Sequence, residues 1–253
     1  MDNISDMTGA SQYKRPASLK TNEIRFNGKN GKFSYVNLLG RKEGEKAESK
    51  DLGTSLKLVF LKIRRKMSYY HAEKEVFVVT SEHNSKEDTV FLFGPNVKGV
   101  ASELREKYEQ LRTQQVVYVA YEAEIVRLIV KGASLGSQVK AKTTTAFFEY
   151  LQDYKGEDHV HEHYTEISSV EEEGKLGSYM VMDFKRGKKL TKAGITSAED
   201  RIKEIHEVTS ATDEYYNKKT GTEVTKEVKE EKEKKVDTVE YPDDEINLDD
   251  IPF

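Results

Sequence analysis

The strongest constraint on the fold is a two-residue alternation of apolar and polar side chains in several short segments. In segment 32–39, Phe33 and Tyr35 share one face, which is predicted to be the outer one. Val36 and Leu38 point to the opposite face. Such a period indicates β-strands, because successive side chains of a strand point to opposite sides. The same signal predicts strands at residues 56–67, 76–80, 90–93, 116–121 and 124–131.

A helical segment interrupts this series of strands. In residues 100–113 the apolar positions recur at helical spacing, among them Leu104 and Leu111, with charged residues on the opposite side. Several strands, one helix and two further strands follow the order of an OB-fold barrel, in which the helix plugs one end. The chain is therefore predicted to be mainly β with accessory helices, as an elaborated OB-like barrel with a disordered acidic tail. Residues 40–53, rich in Gly, Lys and Glu, are expected to form a loop.

Four regions are predicted along the chain: a flexible arm at 1–20, the OB-like domain at 21–195, an amphipathic helix at 196–220, and a Lys/Glu-rich tether with an acidic tip at 221–253. From about residue 137 onwards, the domain is expected to carry an elaboration of the barrel. This elaboration contains a short helix at 143–154 and a hairpin with strands at 160–168 and 178–184. Apolar runs of membrane-spanning length are missing, so no membrane association is expected.

Charge is divided unevenly between the body and the tail. Residues 221–253 contain 12 acidic and 5 basic residues, a balance of −7, and since the whole chain carries −4 the preceding residues carry +3. A basic body approaches polyanions and an acidic tail repels them. The chain has no cysteine and no signal-peptide pattern, which favours a reducing compartment and a cytoplasmic protein.

The chain ends in Asp249, Asp250, Ile251, Pro252 and Phe253. Two apolar side chains at an acidic, solvated end suit capture by another protein, with a pocket for the ring and a cation for the terminal carboxylate. This ending resembles the C-terminal tip of bacterial single-stranded DNA-binding proteins, in which acidic residues precede Ile-Pro-Phe. In that family an OB-fold body holds DNA and the tip recruits replication, recombination and repair enzymes.

The resemblance implies a non-enzymatic protein that binds single-stranded DNA without sequence preference and recruits such enzymes through residues 249–253. No cofactor is expected, and the sequence leaves open whether the chain forms a homo-oligomer. The body departs from the family, since it has no tryptophan and its tether is rich in Lys and Glu rather than Gly, Gln and Pro. These departures suggest a phage or mobile-element protein working in the host cytoplasm.

Single strands are held by a basic groove that follows the phosphates and by exposed aromatic side chains on which bases stack. Residues 62–66 are the densest basic run of the body, and two tyrosines follow them. The residues predicted to bind DNA are Phe33, Tyr35, Phe60, Lys62, Arg64, Arg65, Lys66, Tyr69, Tyr70, Arg127, Lys131, Lys140 and Lys142. The alternative interpretation is a solvated strand edge and ordinary aromatic packing.

Two other functions remain open at this stage. The chain is an adaptor if its tip occupies the partners of single-stranded DNA-binding proteins while its body binds no DNA. It is a metal-dependent nuclease if His159, His161 and His163, at two-residue spacing, share one strand face and bind a transition metal. The simpler interpretation of the histidines is a polar strand edge, which we favour because three ligands from one strand rarely close a tetrahedral site. Phosphate-binding glycine loops and cysteine nucleophiles are missing.

Overall fold

The computed structural model describes residues 19, 21–41, 46–72, 75–136, 144–154, 158–174 and 177–218, and the backbone of residues 222 and 223. Its strands are β1 (Asn22–Asn27), β2 (Lys32–Asn37), β3 (Glu48–Gly53), β4 (Ser55–His71), β5 (Val76–Val79), β6 (Thr89–Leu92), β7 (Val97–Val100), β8 (Arg112–Tyr121), β9 (Glu124–Val130), β10 (His163–Gly174), β11 (Gly177–Lys189) and β12 (Thr222–Glu223). Its helices are α1 (Ala101–Lys107), α2 (Phe147–Gln152) and α3 (Lys192–Lys218), with short 3-10 turns at Gly132–Ser134 and Val160–Glu162.

The prediction of a mainly β protein with few helices is confirmed. Nine strands form one large sheet in the order β11-β10-β4-β8-β9-β1-β2-β3, with β5 paired to the far end of β4. A smaller sheet has the order β12-β7-β6. Most pairs of the large sheet are antiparallel, whereas β1 and β9 are parallel. Within the described residues no strand pairing joins β3 to β11, so the large sheet is open.

The prediction of a loop at residues 40–53 is partly wrong, because Glu48–Gly53 forms strand β3. Its sequence is charged and ends in glycine, which disfavours a strand by propensity. The segment pairs with β2 along one side and is largely exposed at the edge of the sheet. Charged edge strands protect a sheet against pairing with other chains. Backbone pairing with β2 therefore outweighs composition here.

At the other end of the sheet, turns rather than a strand satisfy the free edge of β11. The backbone N–H of Met180 donates to the carbonyl of Gly28 at 2.8 Å, and the N–H of Phe184 donates to the carbonyl of Thr145 at 3.0 Å. The β1–β2 turn therefore lies against β11, so the sheet curls back towards itself. Gly31 allows this approach, because its φ is +69° and a Cβ there would collide with the Ser169 side chain.

The main hydrophobic core fills the inner face of the curled sheet. Phe60 of β4 lies at its centre, with ring centroids 6.0 Å from Phe147, 5.9 Å from Tyr150 and 6.4 Å from Phe184. Inward-facing residues of β1, β2, β8 and β9 complete this core. Helix α2 therefore closes the inner face, as part of the elaboration predicted after residue 137.

Helix α3 packs on the outer face of the same strands. Val59 and Leu61 of β4, which alternate with Phe60, form a second buried cluster with Ala198 and Ile205 of the helix. Strand β4 is thus buried on both faces along this part of its length. None of the helices in the described part of the chain combines the length and apolar character needed to cross a membrane.

Candidate nucleic-acid interface

Beyond helix α3, the outer face of the sheet carries a row of cations that we call the basic strip. The strand registers place Lys66 opposite Gln114 and Arg112 opposite Ser68. Arg127 lies opposite Tyr118 and beside Glu23. Because side chains alternate along each strand, these outward positions belong to one face, opposite the buried Val126, Leu128 and Val130. The basic strip consists of Arg25, Lys66, Arg112, Arg127 and Lys131.

Electrostatic effects couple three members of the basic strip, Lys66, Arg127 and Arg25. Burial lowers the pKa of Lys66, and the nearby charges of Arg127 and Arg25 lower it further, while Glu23 and Glu82 act in the opposite direction. Mutual repulsion among cations is favourable for a polyanion site, because a bound phosphate relieves it. Of the five cations of the strip, Arg25 forms an ion pair with Glu23 at 2.7 Å and Arg127 forms one with Glu82 at 3.6 Å, so these two carboxylates offset part of its positive charge.

An aromatic pair stands at one end of the basic strip. Tyr70 of β4 lies directly opposite Phe77 of β5, and their ring centroids are 5.1 Å apart. The Phe77 side chain is 51% exposed, which is unusual for so large an apolar group. Tyr70 follows Lys66 by four residues on the same face, a distance of about 13 Å along the strand. The cations of the strip and an aromatic pair with one exposed ring therefore lie on the same face of the sheet.

Three of the aromatic residues predicted to bind DNA are buried. Phe33 and Phe60 are 0% exposed and belong to the main core, and Tyr69 packs in a smaller core with Met67 and Leu104. The prediction that Phe33 lies on an outer face is therefore wrong, and Phe60, which was predicted to bind DNA, is equally inaccessible. The reason is that β2 and β4 direct these residues towards the inside of a curled sheet, a choice that alternation alone leaves open.

Arg64 is also buried, although it was predicted to bind DNA. Its side chain is 2% exposed, and its guanidinium donates two hydrogen bonds to the Asp213 carboxylate of α3, at 2.8 and 2.6 Å. A third hydrogen bond reaches the backbone carbonyl of Glu82 at 2.6 Å. Arg64 does occupy the outer face of β4, but helix α3 covers it there. A bidentate ion pair with few water contacts is the arrangement that makes such burial tolerable.

Three further predicted residues lie under the helix or away from the strip. Lys62 is partly buried against α3, where its ammonium lies 2.7 Å from the Thr209 hydroxyl. Tyr35 donates a hydrogen bond to Glu124 at 2.6 Å, and burial together with this carboxylate raises the pKa of Tyr35 to about 12. A tyrosine held by a carboxylate is poorly placed for contact with phosphates. Arg65 lies on the face opposite Arg64, and its backbone pairs with His83.

The structure thus brings together Lys66, Tyr70, Arg127 and Lys131 from the predicted set. It adds Arg25, Arg112 and Phe77, which are not among the residues predicted from the sequence to bind DNA. Phe77 was detectable in principle, because a hairpin that pairs residues 68–71 with 76–79 places it opposite Tyr70. Lys140, Lys142 and the tip residues 249–253 lie outside the described residues.

The three histidines do not form the strand face that a metal site of this kind would need. Residues 160–162 form a 3-10 turn, and β10 begins only at His163. The rings of His159 and His161 stack on each other at 5.5 Å, whereas His163 is buried and contacts Asp158 and Arg186. Asp158, Glu162 and His163 do gather their ligand atoms within 4.8 Å. Arg186 and Lys189 already neutralise these two carboxylates.

Comparisons with models of protein families, with curated proteins and with solved structures find no match to this chain. Its function must therefore be inferred from the site itself.

Proposed function

We propose that this chain is a non-enzymatic single-stranded DNA-binding protein whose basic strip holds the phosphates. The observation that carries the proposal is the coincidence, on one face, of five cations with the Tyr70–Phe77 pair, of which the Phe77 ring is exposed. Lys and Arg contacts to phosphates supply affinity without reading the sequence. An aromatic platform favours unpaired bases, because the bases of a duplex are already stacked on one another.

The fold supports the same proposal. Six neighbouring strands of the large sheet, in the order β4-β8-β9-β1-β2-β3, curl around one core, and helix α2 closes the inner face. We interpret this arrangement as an elaborated OB-like body that is open between β3 and β4. Binding on the outer face of such a sheet is typical of OB-folds that hold single strands.

An adaptor without DNA affinity is the second candidate, and one observation favours it. The basic run at residues 62–66 exposes fewer cations than its sequence suggests, because α3 covers Lys62 and Arg64. The two candidates differ in a simple measurement, the fluorescence anisotropy of a labelled oligo-dT titrated with the full chain. Our proposal predicts binding at low salt that weakens as salt is added, with weak competition by a duplex of equal length. An unchanged anisotropy even at low salt would contradict DNA binding and leave the adaptor as the remaining candidate.

We propose that residues 249–253 recruit partner enzymes, as their resemblance to the tip of bacterial single-stranded DNA-binding proteins implies. Deleting residues 243–253 is expected to abolish binding to proteins that recognise such tips. The affinity for oligo-dT should stay equal or rise, because the deletion removes acidic residues that compete with phosphates. Pull-down with a tip-binding repair enzyme and anisotropy with oligo-dT measure the two effects. Retained partner binding after the deletion contradicts the recruiting role.

A further inference from the structure

Helix α3 is attached to the outer face in two chemically different ways. Its N-terminal half is apolar towards the sheet, where Ala198 and Ile205 are buried against Val59 and Leu61. Its C-terminal half meets the cations Lys62 and Arg64 of β4 and, through Tyr216 near its end, the rings of Phe91 and Phe93. This division suggests that the two halves differ in how readily they leave the sheet, since water and ions replace polar contacts far better than apolar ones.

Most side-chain polar contacts of the C-terminal half involve residues 62–66 of β4, and one more joins the Lys98 ammonium of β7 to the Asn217 carbonyl at 2.5 Å. The ammonium of Lys62 lies 2.7 Å from the Thr209 hydroxyl and 3.2 Å from Nδ1 of His206. Asp213 holds both terminal nitrogens of Arg64. Arginine binds a carboxylate and a phosphate in the same way, through two parallel N–H···O hydrogen bonds. Asp213 therefore occupies the place that a phosphate oxygen pair would take.

The packing beneath the C-terminal half is incomplete. A cleft of about 600 Å³ separates this part of the helix from the smaller sheet, with Asp213 and Tyr216 on one wall and Thr89 and Gly99 on the other. The ring of Tyr216 is buried against Phe91, at a centroid distance of 6.1 Å, and Phe93, at 5.4 Å. Where the cleft adjoins the helix, packed neighbours are missing on that side, which reduces the dispersion energy there.

We propose that residues 206–218 of α3 form a displaceable cover over Lys62 and Arg64, and that bound single-stranded DNA exchanges a phosphate for the Asp213 carboxylate. Lys62, Arg64 and Lys66 follow one another on the same face of β4, so uncovering the first two extends the basic strip along that strand. Glu82 remains beside Arg64 in either state. This inference rests on the proposed function and adds a hidden second part to its site.

Hydrogen–deuterium exchange of the wild-type chain tests the cover directly. With saturating oligo-dT, the backbone amides of residues 209–218 should exchange faster than in the free protein, and those of residues 198–205 should be unchanged. Slower or equal exchange at 209–218 in the presence of bound oligo-dT overturns the cover and leaves the proposed function intact. No binding of oligo-dT at all overturns both.

A substitution gives a second test with a matched control. Asp213→Asn should raise the affinity for oligo-dT about threefold or more and should make log K fall more steeply with log salt, by about 0.7 for each added phosphate contact. Glu207→Gln removes the same charge from an exposed position of the same helix and should change neither. Equal effects of the two substitutions contradict the cover. If Asp213→Asn does not fold, the hydrogen–deuterium exchange experiment on the wild-type chain still tests whether residues 206–218 are displaced.

Discussion

Replacing Phe77 with alanine is expected to weaken the binding of oligo-dT by roughly 5- to 150-fold, because stacking contributes about 1–3 kcal/mol per base. The side chain is 51% exposed, so its removal creates no cavity. The free energy of unfolding should therefore change by no more than about 0.5 kcal/mol. Anisotropy with labelled oligo-dT and urea unfolding measure the two quantities. Tyr70→Ala should weaken binding in the same way, because the two rings form one platform.

Phe148→Ala is the matched control for this substitution. Phe148 is also a partly exposed phenylalanine, at 39%, but it belongs to α2 on the other side of the sheet, where its ring contacts Phe147. Its replacement should leave oligo-dT binding unchanged. Equal losses of affinity for Phe77→Ala and Phe148→Ala would contradict a specific stacking platform on the outer face.

Replacing Phe60 with alanine is expected to lower the free energy of unfolding by about 3–5 kcal/mol. Phe60 is 0% exposed and touches three aromatic rings contributed by α2 and β11, so its removal leaves a cavity between the sheet and its elaboration. A urea unfolding curve measures the change through its midpoint. A loss below about 1 kcal/mol would indicate that the core repacks around the missing ring or that Phe60 lies elsewhere.

The contrast between Phe60 and Phe77 shows what the sequence can and cannot predict about this site. Alternation correctly indicates a strand around Phe60, but the period of two leaves open which face is inward. Here both faces of β4 carry apolar residues, because α2 closes one side and α3 covers the other. Two of the rings that bury Phe60 belong to Phe147 and Phe184, which lie far from it in the chain. Local sequence patterns carry no information about such partners.

Arg64 illustrates the same limit for charged residues. A basic run such as 62–66 is normally solvated or bound to an anion, and the sequence reading treated it as surface. The structure supplies an internal anion, Asp213, from a helix about 150 residues later in the chain. Such a pairing follows from tertiary packing alone. The mainly β class was predictable, by contrast, because it depends on local periodicity repeated over several segments.

The most direct test of the basic strip is the salt dependence of oligo-dT binding in two charge-matched double variants. Arg112→Gln with Lys131→Gln removes two cations of the strip. Lys50→Gln with Lys203→Gln removes two cations elsewhere, one near Tyr35 and one on α3. The first pair should flatten the slope of log K against log salt by about 1.4, that is about 0.7 per lost phosphate contact, and the second pair should leave it unchanged. Equal slopes for both pairs would contradict the assignment of the DNA site to this face.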